Sequence, residues 1–443
     1  MNATHAPLTR RRFAGAAATA MGALAAACGS SSQPAVPANL AQKEAKISFM
    51  FWAPRAETFQ NDAKAIKDKL PKLTVELLQQ PTDFHPKLQA MIAAGTPPET
   101  WALELQKTQF YARMGAAVDL TPYYGRDKSV KKDDLPALKI KQISDTKGGI
   151  YGTSPNMSGN FIHYHLDLFQ KEGLPDPYDL WKQDKWTWDT FLDAARKLTK
   201  RTPDGKATQI GSTPGVARLW LNANGTEEFD NFVAPTKCLY DTALAIDALQ
   251  WQADLRLKQQ VFLISASNEL GFKDSRDAFR GGRLAMADFY ISDISLLTDI
   301  STFKWAVVPY PKRKDHVIDS SGSGLSMSKI NKEPDLSWEW IKFGMTPEGS
   351  LVEADNMLFV LAAEGQKRYL DNLKKTPGMI HQDTIPESIK KYGRSRLLSV
   401  NEPDISKIVS DGIAPLWKGE QPAGTVGKTI AQQVNDFLKA NPQ

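Results

Sequence analysis

Six histidines, at positions 5, 85, 163, 165, 316 and 381, are the first residues to test for chemistry. His163 and His165 stand two apart in the strand-like run FIHYH, so their side chains share one face and could begin a metal site. A zinc site takes three or four ligands, and neither HExxH nor CxxC accompanies the pair, so two histidines on a partly covered strand face is the plainer reading. Gly424 to Thr429, GTVGKT, has the ending of a phosphate loop. Position 422 is Pro where the first glycine belongs and no strand leads in, so the stretch reads as a turn entering the last helix. The SGSG run fails the nucleophile-elbow pattern because Ser321 stands where its first glycine would be. Cys238 has no CxxC partner and reads as a structural thiol. No catalytic residue, metal or cofactor emerges from these patterns.

Carboxylates and aromatics say more. Glu104 at a strand end and Asp288 within 284–290 are candidate pocket residues that could form a glycosidase pair or simply accept hydrogen bonds from sugar hydroxyls. Trp52, Tyr164, Trp220 with Asn222 and Asn224, and Tyr290 all fall at turns or strand ends. Aromatic faces stack on the apolar faces of pyranose rings while amides and carboxylates satisfy the hydroxyls.

Several elements must position these residues. The run 47–52 is rich in strand formers, and Phe59, Ala63, Ile66 and Leu70 follow at helical spacing until Pro71 stops them. A second strand at 74–78, a helix through Leu88, Met91 and Ile92, and a third strand at 101–105 complete a strand-helix alternation that predicts an α/β unit with parallel strands. Ligands bind such sheets at the carboxyl ends of the strands, which singles out Trp52 to Arg55 and Glu104. Further along, a helix starting at Thr187, helices near 242–257 and 274–281, strands at 284–290 and 305–310, a Gly/Ser turn at 320–324 and a final amphipathic helix through Ile430 and Val434 are predicted. Irregular connections near 155–161 and 309–318 suit two lobes joined by more than one crossover.

The formal charge of +5 over 443 residues is misleading, because three of those charges are Arg10, Arg11 and Arg12 in an acid-free N-terminus. What remains is close to neutral, which argues against a nucleic-acid binder. A cationic start, an apolar stretch too short to span a bilayer and a small-residue run have the layout of an export signal. TRRRF resembles a twin-arginine signal, and LAAAC up to Cys28 resembles a lipoprotein box in which that cysteine is lipidated. Ser, Pro and Ala dominate the next eleven residues, as in a tether. The expectation is an exported chain, anchored to the outer side of the cytoplasmic membrane by lipid alone.

A series of motifs in order then resembles the family 1 extracellular solute-binding proteins, the sugar-binding receptors of ABC importers that include the maltose-binding type. The motifs are AAGTPPETW at 93–101, IYGTSPNMSGNFIHYHLDLFQKEGLPDP at 150–177, KWTWDTFLDAARKLTK at 185–200, DAFRGGRLAMADFY at 277–290, and Gly322 to Gly349 with SMSKINKEPDLSWEWIKFGMTPEG. The resemblance implies a periplasmic-binding-protein-like α/β fold, two lobes joined by hinge crossovers with the ligand cleft between them. It implies a signal peptide at 1–27, a lipidated tether at 28–44, lobe one at 45–158 plus 316–363, and lobe two at 159–315 plus 364–443. The cleft would be lined by Trp52, Glu104, Tyr164, Trp220, Asn224, Asp288, Tyr290, Ser323 and Gly324. The protein would act as a monomer without cofactor, bind a small solute of the carbohydrate class, and serve ABC permease subunits. Truncating Tyr290 or Trp220 should then weaken sugar binding without loss of folding. Two alternatives stay open: an exported carbohydrate-active enzyme, and a receptor of the same fold for a non-sugar solute.

Overall fold

The computed structural model describes residues 38–52 and 56–442, so Arg10, Arg11, Arg12 and Cys28 lie outside the described residues. Strand β1 (Ala45–Trp52) runs parallel to β2 (Leu73–Gln80) on one side and β3 (Thr100–Glu104) on the other. Helices Ala56–Ala65 and Phe84–Ala93 connect them, as the spacing predicts. The period of two along β1 explains why both faces of this sheet are covered. Ile47, Phe49 and Phe51 enter one apolar cluster with Leu336 and Trp340, while Met50 enters another with Leu88, Trp101 and Leu103.

After β4 (Asn156–Met157) the chain forms β5 (Asn160–His165), the centre of a second sheet. The small hairpin of β6 (Lys200–Arg201) and β7 (Ala207–Gln209) follows, then β8 (Met286–Tyr290) and β9 (Trp305–Val308), which flank β5 antiparallel to it. Within this lobe Thr187 caps the helix Trp188–Leu198 through a capping box with Thr190, and Phe191, Ala195 and Leu198 are buried along one face. β10 (Ile318–Asp319) and β11 (Ser323–Met327) return the chain, and β11 becomes the antiparallel edge of the first sheet beside β3. The Gly/Ser run expected as a turn therefore carries a crossover and opens a strand. β12 (Phe359–Val360) pairs with β4, and β13 (Gly393–Arg394) with β10. Gly424 to Thr429 lie inside the closing helix Ala423–Ala440.

The result is two α/β lobes, each with its own sheet, and the chain passes from one sheet to the other near Ser158 and again near Ile318 to Gly322. These two passages are pinned together. Ser158 and Ser321 exchange backbone hydrogen bonds of 3.0 and 2.9 Å. A Cβ at Gly159 would sit 2.1 Å from the Asp319 carbonyl oxygen, so only glycine permits that approach. Lys139 Nζ donates to the Ser321 carbonyl and Gln142 Nε2 to that of Ser320, each at 2.6 Å. Burial pushes the Lys139 ammonium down to about 7, with Asp319 opposing that shift. Among the described residues no helix is long and apolar enough to cross a membrane.

Candidate functional site

Between the lobes lies a cavity of ≈ 300 Å³. The first sheet supplies Trp52 and Glu104 from the carboxyl ends of β1 and β3, with Gln106 just beyond. The second lobe supplies Tyr290 from the end of β8, followed by Ser292 and Asp293, with Arg276 from a neighbouring helix. Ser158, Ser321, Gly322 and Ser323 of the crossovers, together with Arg396, complete the wall. The cavity thus gathers four of the expected residues, Trp52, Glu104, Tyr290 and Ser323.

Local contacts hold these side chains in place. The Trp52 ring meets Phe84 edge-on at 5.2 Å. Glu104 accepts from Gln106 Nε2 at 2.8 Å, and its Oε2 lies 3.5 Å from His85 Nε2. Burial alone would raise the Glu104 carboxyl, but His85, Lys107 and Arg396 outweigh it and hold the group below its usual range. Arg396 donates through Nε and Nη2 to Asp319 at 3.0 and 2.8 Å and also to the Tyr290 hydroxyl. Asp319 is fully buried and pairs in addition with Arg218. Burial raises this carboxyl too, yet the two guanidinium groups prevail and keep it below the ordinary value. Arg276 pairs with Asp293 at 3.1 Å. Positive and negative groups are thereby matched around a cavity rimmed with hydroxyls.

The remaining expected residues do not line this cavity, and strand and helix geometry explains why. Register pairs Asn160 with Tyr290, Ile162 with Asp288, and Tyr164 with Met286, so all six side chains share one sheet face. At a rise of about 3.3–3.4 Å per residue, Tyr164 sits roughly 13 Å from the cleft end of β5. There it is fully buried, with its hydroxyl donating to Asp176. Asp288, midway, accepts from Asn160 Nδ2 at 3.1 Å, and burial pushes its carboxyl up to about 7. Trp220 is also fully buried, its Nε1 donating to the Pro214 carbonyl at 2.9 Å. Asn224 donates to the Leu244 carbonyl and to Asp247 at 2.8 and 3.0 Å. A Cβ at Gly324 would come within 2.8 Å of Leu105 and of the Thr153 carbonyl, so this glycine serves close packing of β11.

The histidine pair has structural partners. His163 is buried against Trp305 and Phe289, and His165 stacks on Phe303 and accepts from the Leu168 amide at the start of a helix. Among the described residues no group of three or more His, Cys, Asp or Glu side chains could hold a metal ion. Cys238 is a buried free thiol, pushed up to about 12 by burial.

Arg276, Asp293 and Arg396 escaped the sequence reading. Ser321 and Gly322 fell within the Gly/Ser run that supplied Ser323 and Gly324, so a usable signal existed there. Arg396 had none, because it follows the two-residue strand β13 in an irregular stretch and depends on an aspartate 77 positions earlier.

Comparison with known proteins bears on this arrangement. A family model described as bacterial extracellular solute-binding protein matches residues 55–358. An ABC substrate-binding protein of Listeria monocytogenes, solved in complex with cycloalternan, superposes with a TM-score of 0.78 at 20% identity, covering 90% of this chain and 100% of that one. The GacH receptor of Streptomyces glaucescens, solved unliganded and with acarbose, gives 0.73 at 16% identity over 90% and 100%. A solute-binding protein of Thermotoga lettingae bound with α-D-tagatose gives 0.72 at 18% over 89% and 99%. No curated protein sequence matches. Identities this low establish likeness of fold, whereas the family match spans more than half of the chain. This chain belongs to the bacterial extracellular solute-binding proteins.

Proposed function

We propose that this protein captures a sugar or oligosaccharide between its lobes and delivers it to an ABC importer. The observation that carries the reading is the interlobe cavity itself, which combines two aromatic side chains, Trp52 and Tyr290, with serine hydroxyls and charges that are already paired. Aromatic faces suit pyranose rings, and matched charges suit an uncharged solute. The sugars named in the similar structures support the same class of ligand. Ligand contacts both lobes only when they are closed, so binding energy shifts the population toward the closed form that a permease recognises. No bond is made or broken in this scheme; Glu104 and Asp293 accept hydrogen bonds from hydroxyls.

The lobes in this reading comprise 45–158 with 316–363 and 159–315 with 364–443. The two separate sheets support that division, and Ala354, Met357 and Phe359 pack with Tyr369 and Leu373 across the boundary at 363. Replacing Tyr290 or Trp52 by Ala is expected to weaken sugar binding about tenfold, some 1.4 kcal/mol, in calorimetric titration with the fold retained. Unchanged affinity in both variants would exclude this cavity, and product formation from bound glycan would favour the enzyme instead.

Arg10, Arg11 and Arg12 export the chain in this proposal, and lipid on Cys28 anchors the single copy at the outer side of the cytoplasmic membrane. Membrane fractionation is the check. Cys28→Ser should move the protein into the soluble fraction, and retention on membranes would rule the anchor out.

A further inference from the structure

A second chamber of ≈ 290 Å³ adjoins the interlobe cavity. Helix Ala217–Ala223 walls it on one side and helix Glu402–Trp417 on another. Val216, Ala217, Phe229, Ile405 and Val409 give it an apolar wall. Glu228 and Glu402 give it a polar edge. Glu228 accepts the Tyr240 hydroxyl at 2.7 Å, and Glu402 accepts Ser406 at 2.7 Å while pairing with Lys107 of the opposite lobe. One apolar wall and one polar edge match a pyranose ring, whose faces are apolar and whose rim is hydroxyl.

Two residues, Gln106 and Arg396, belong to the walls of both chambers. Arg396 commits Nε and Nη2 to Asp319 and Tyr290, and among the described residues Nη1 has no hydrogen-bond partner. Gln106 commits its amide nitrogen to Glu104, which leaves its carbonyl as an acceptor. A fixed donor and a fixed acceptor therefore stand where the chambers meet. Each chamber alone lies at the lower edge of the roughly 300–1,000 Å³ typical of small-ligand sites, and only together do they fall well inside it.

We infer that the ligand is an oligosaccharide of at least two rings, with its second ring in this chamber and its glycosidic linkage between Gln106 and Arg396. The inference rests on the sugar-binding reading and specifies ligand length. It is tested by calorimetric titration of the purified protein with glucose, maltose and maltotriose, and with mannose, mannobiose and mannotriose. In at least one series the two-ring sugar should bind at least tenfold tighter than the one-ring sugar. Val409→Trp, which fills the second chamber, should erase that difference and leave one-ring affinity within about threefold. Ser410→Trp, at an exposed position on the same wall, serves if Val409→Trp does not fold. Equal affinity for one and two rings, or a difference that survives filling of the chamber, overturns the inference. Absence of binding in both series overturns the sugar reading itself.

Discussion

Trp220→Ala should lower folding stability by about 3–5 kcal/mol, the usual cost of deleting a large aromatic from a packed interior. The side chain has no exposed surface, and its ring contacts Trp188, Phe191 and Tyr310 at centroid distances of 5.8, 5.3 and 5.4 Å. Its removal also strands the Pro214 carbonyl that accepts the indole N–H. An effect of this kind reverses the expectation from sequence, which placed the residue against the ligand. Urea unfolding separates the two roles, since a core residue changes the midpoint whether or not sugar is present. A variant with native stability and lost binding would return Trp220 to the pocket.

Asp319→Ala should be comparably severe, on the order of 3–5 kcal/mol. The carboxylate is fully buried and is shared by Arg218 and Arg396, whose side chains are only 8% and 27% exposed. Deleting it removes the carboxylate that is hydrogen-bonded to both guanidinium groups and leaves them only the through-space attraction of Glu104 and Glu228, while Arg218 has little water to turn to. The pH dependence has a definite sign. Because the folded-state carboxyl titrates below its unfolded value, its contribution is complete above the unfolded value of about 4 and disappears as pH falls through the lower folded value. The variant should consequently show a shallower loss of stability on acidification than the wild type. A decrease under about 1 kcal/mol at neutral pH would mean that solvent relieves the two arginines. Binding should fall as well, because Arg396 would lose its anchor beside Tyr290.

The contrast between these residues shows how far sequence pattern reaches. Trp52 and Glu104 were legible because a parallel sheet opens its ligand site at the carboxyl ends of its strands, and both residues stand there. Tyr290 was legible for a related reason, as the last residue of β8. Tyr164 was expected at a strand end and in the cleft, but it lies deep within β5, because residue type shows that an aromatic can face a sugar and says nothing about its distance along the strand. Trp220 and Arg218 are separated by roughly 200° around one helix, and Arg218 borders the second chamber while Trp220 enters the core. Composition favoured the tryptophan, although an aromatic of that size is as useful to a core as to a sugar. Arg396 reaches the cleft through an ion pair to a crossover, a long-range relation that no local spacing encodes.

The pinned passages near Gly159 and Ser321 have a practical consequence. Backbone in contact with backbone leaves little room for sliding, so the closure proposed above would be a rotation about these passages, and a single distance would report it. Ile330 on one lobe and Leu257 on the other are both exposed, and the buried Cys238 would not compete with cysteines introduced there. A dye pair at those two positions would convert the angle between the lobes into an optical readout of ligand, making the molecule a reagentless sensor for whatever it binds.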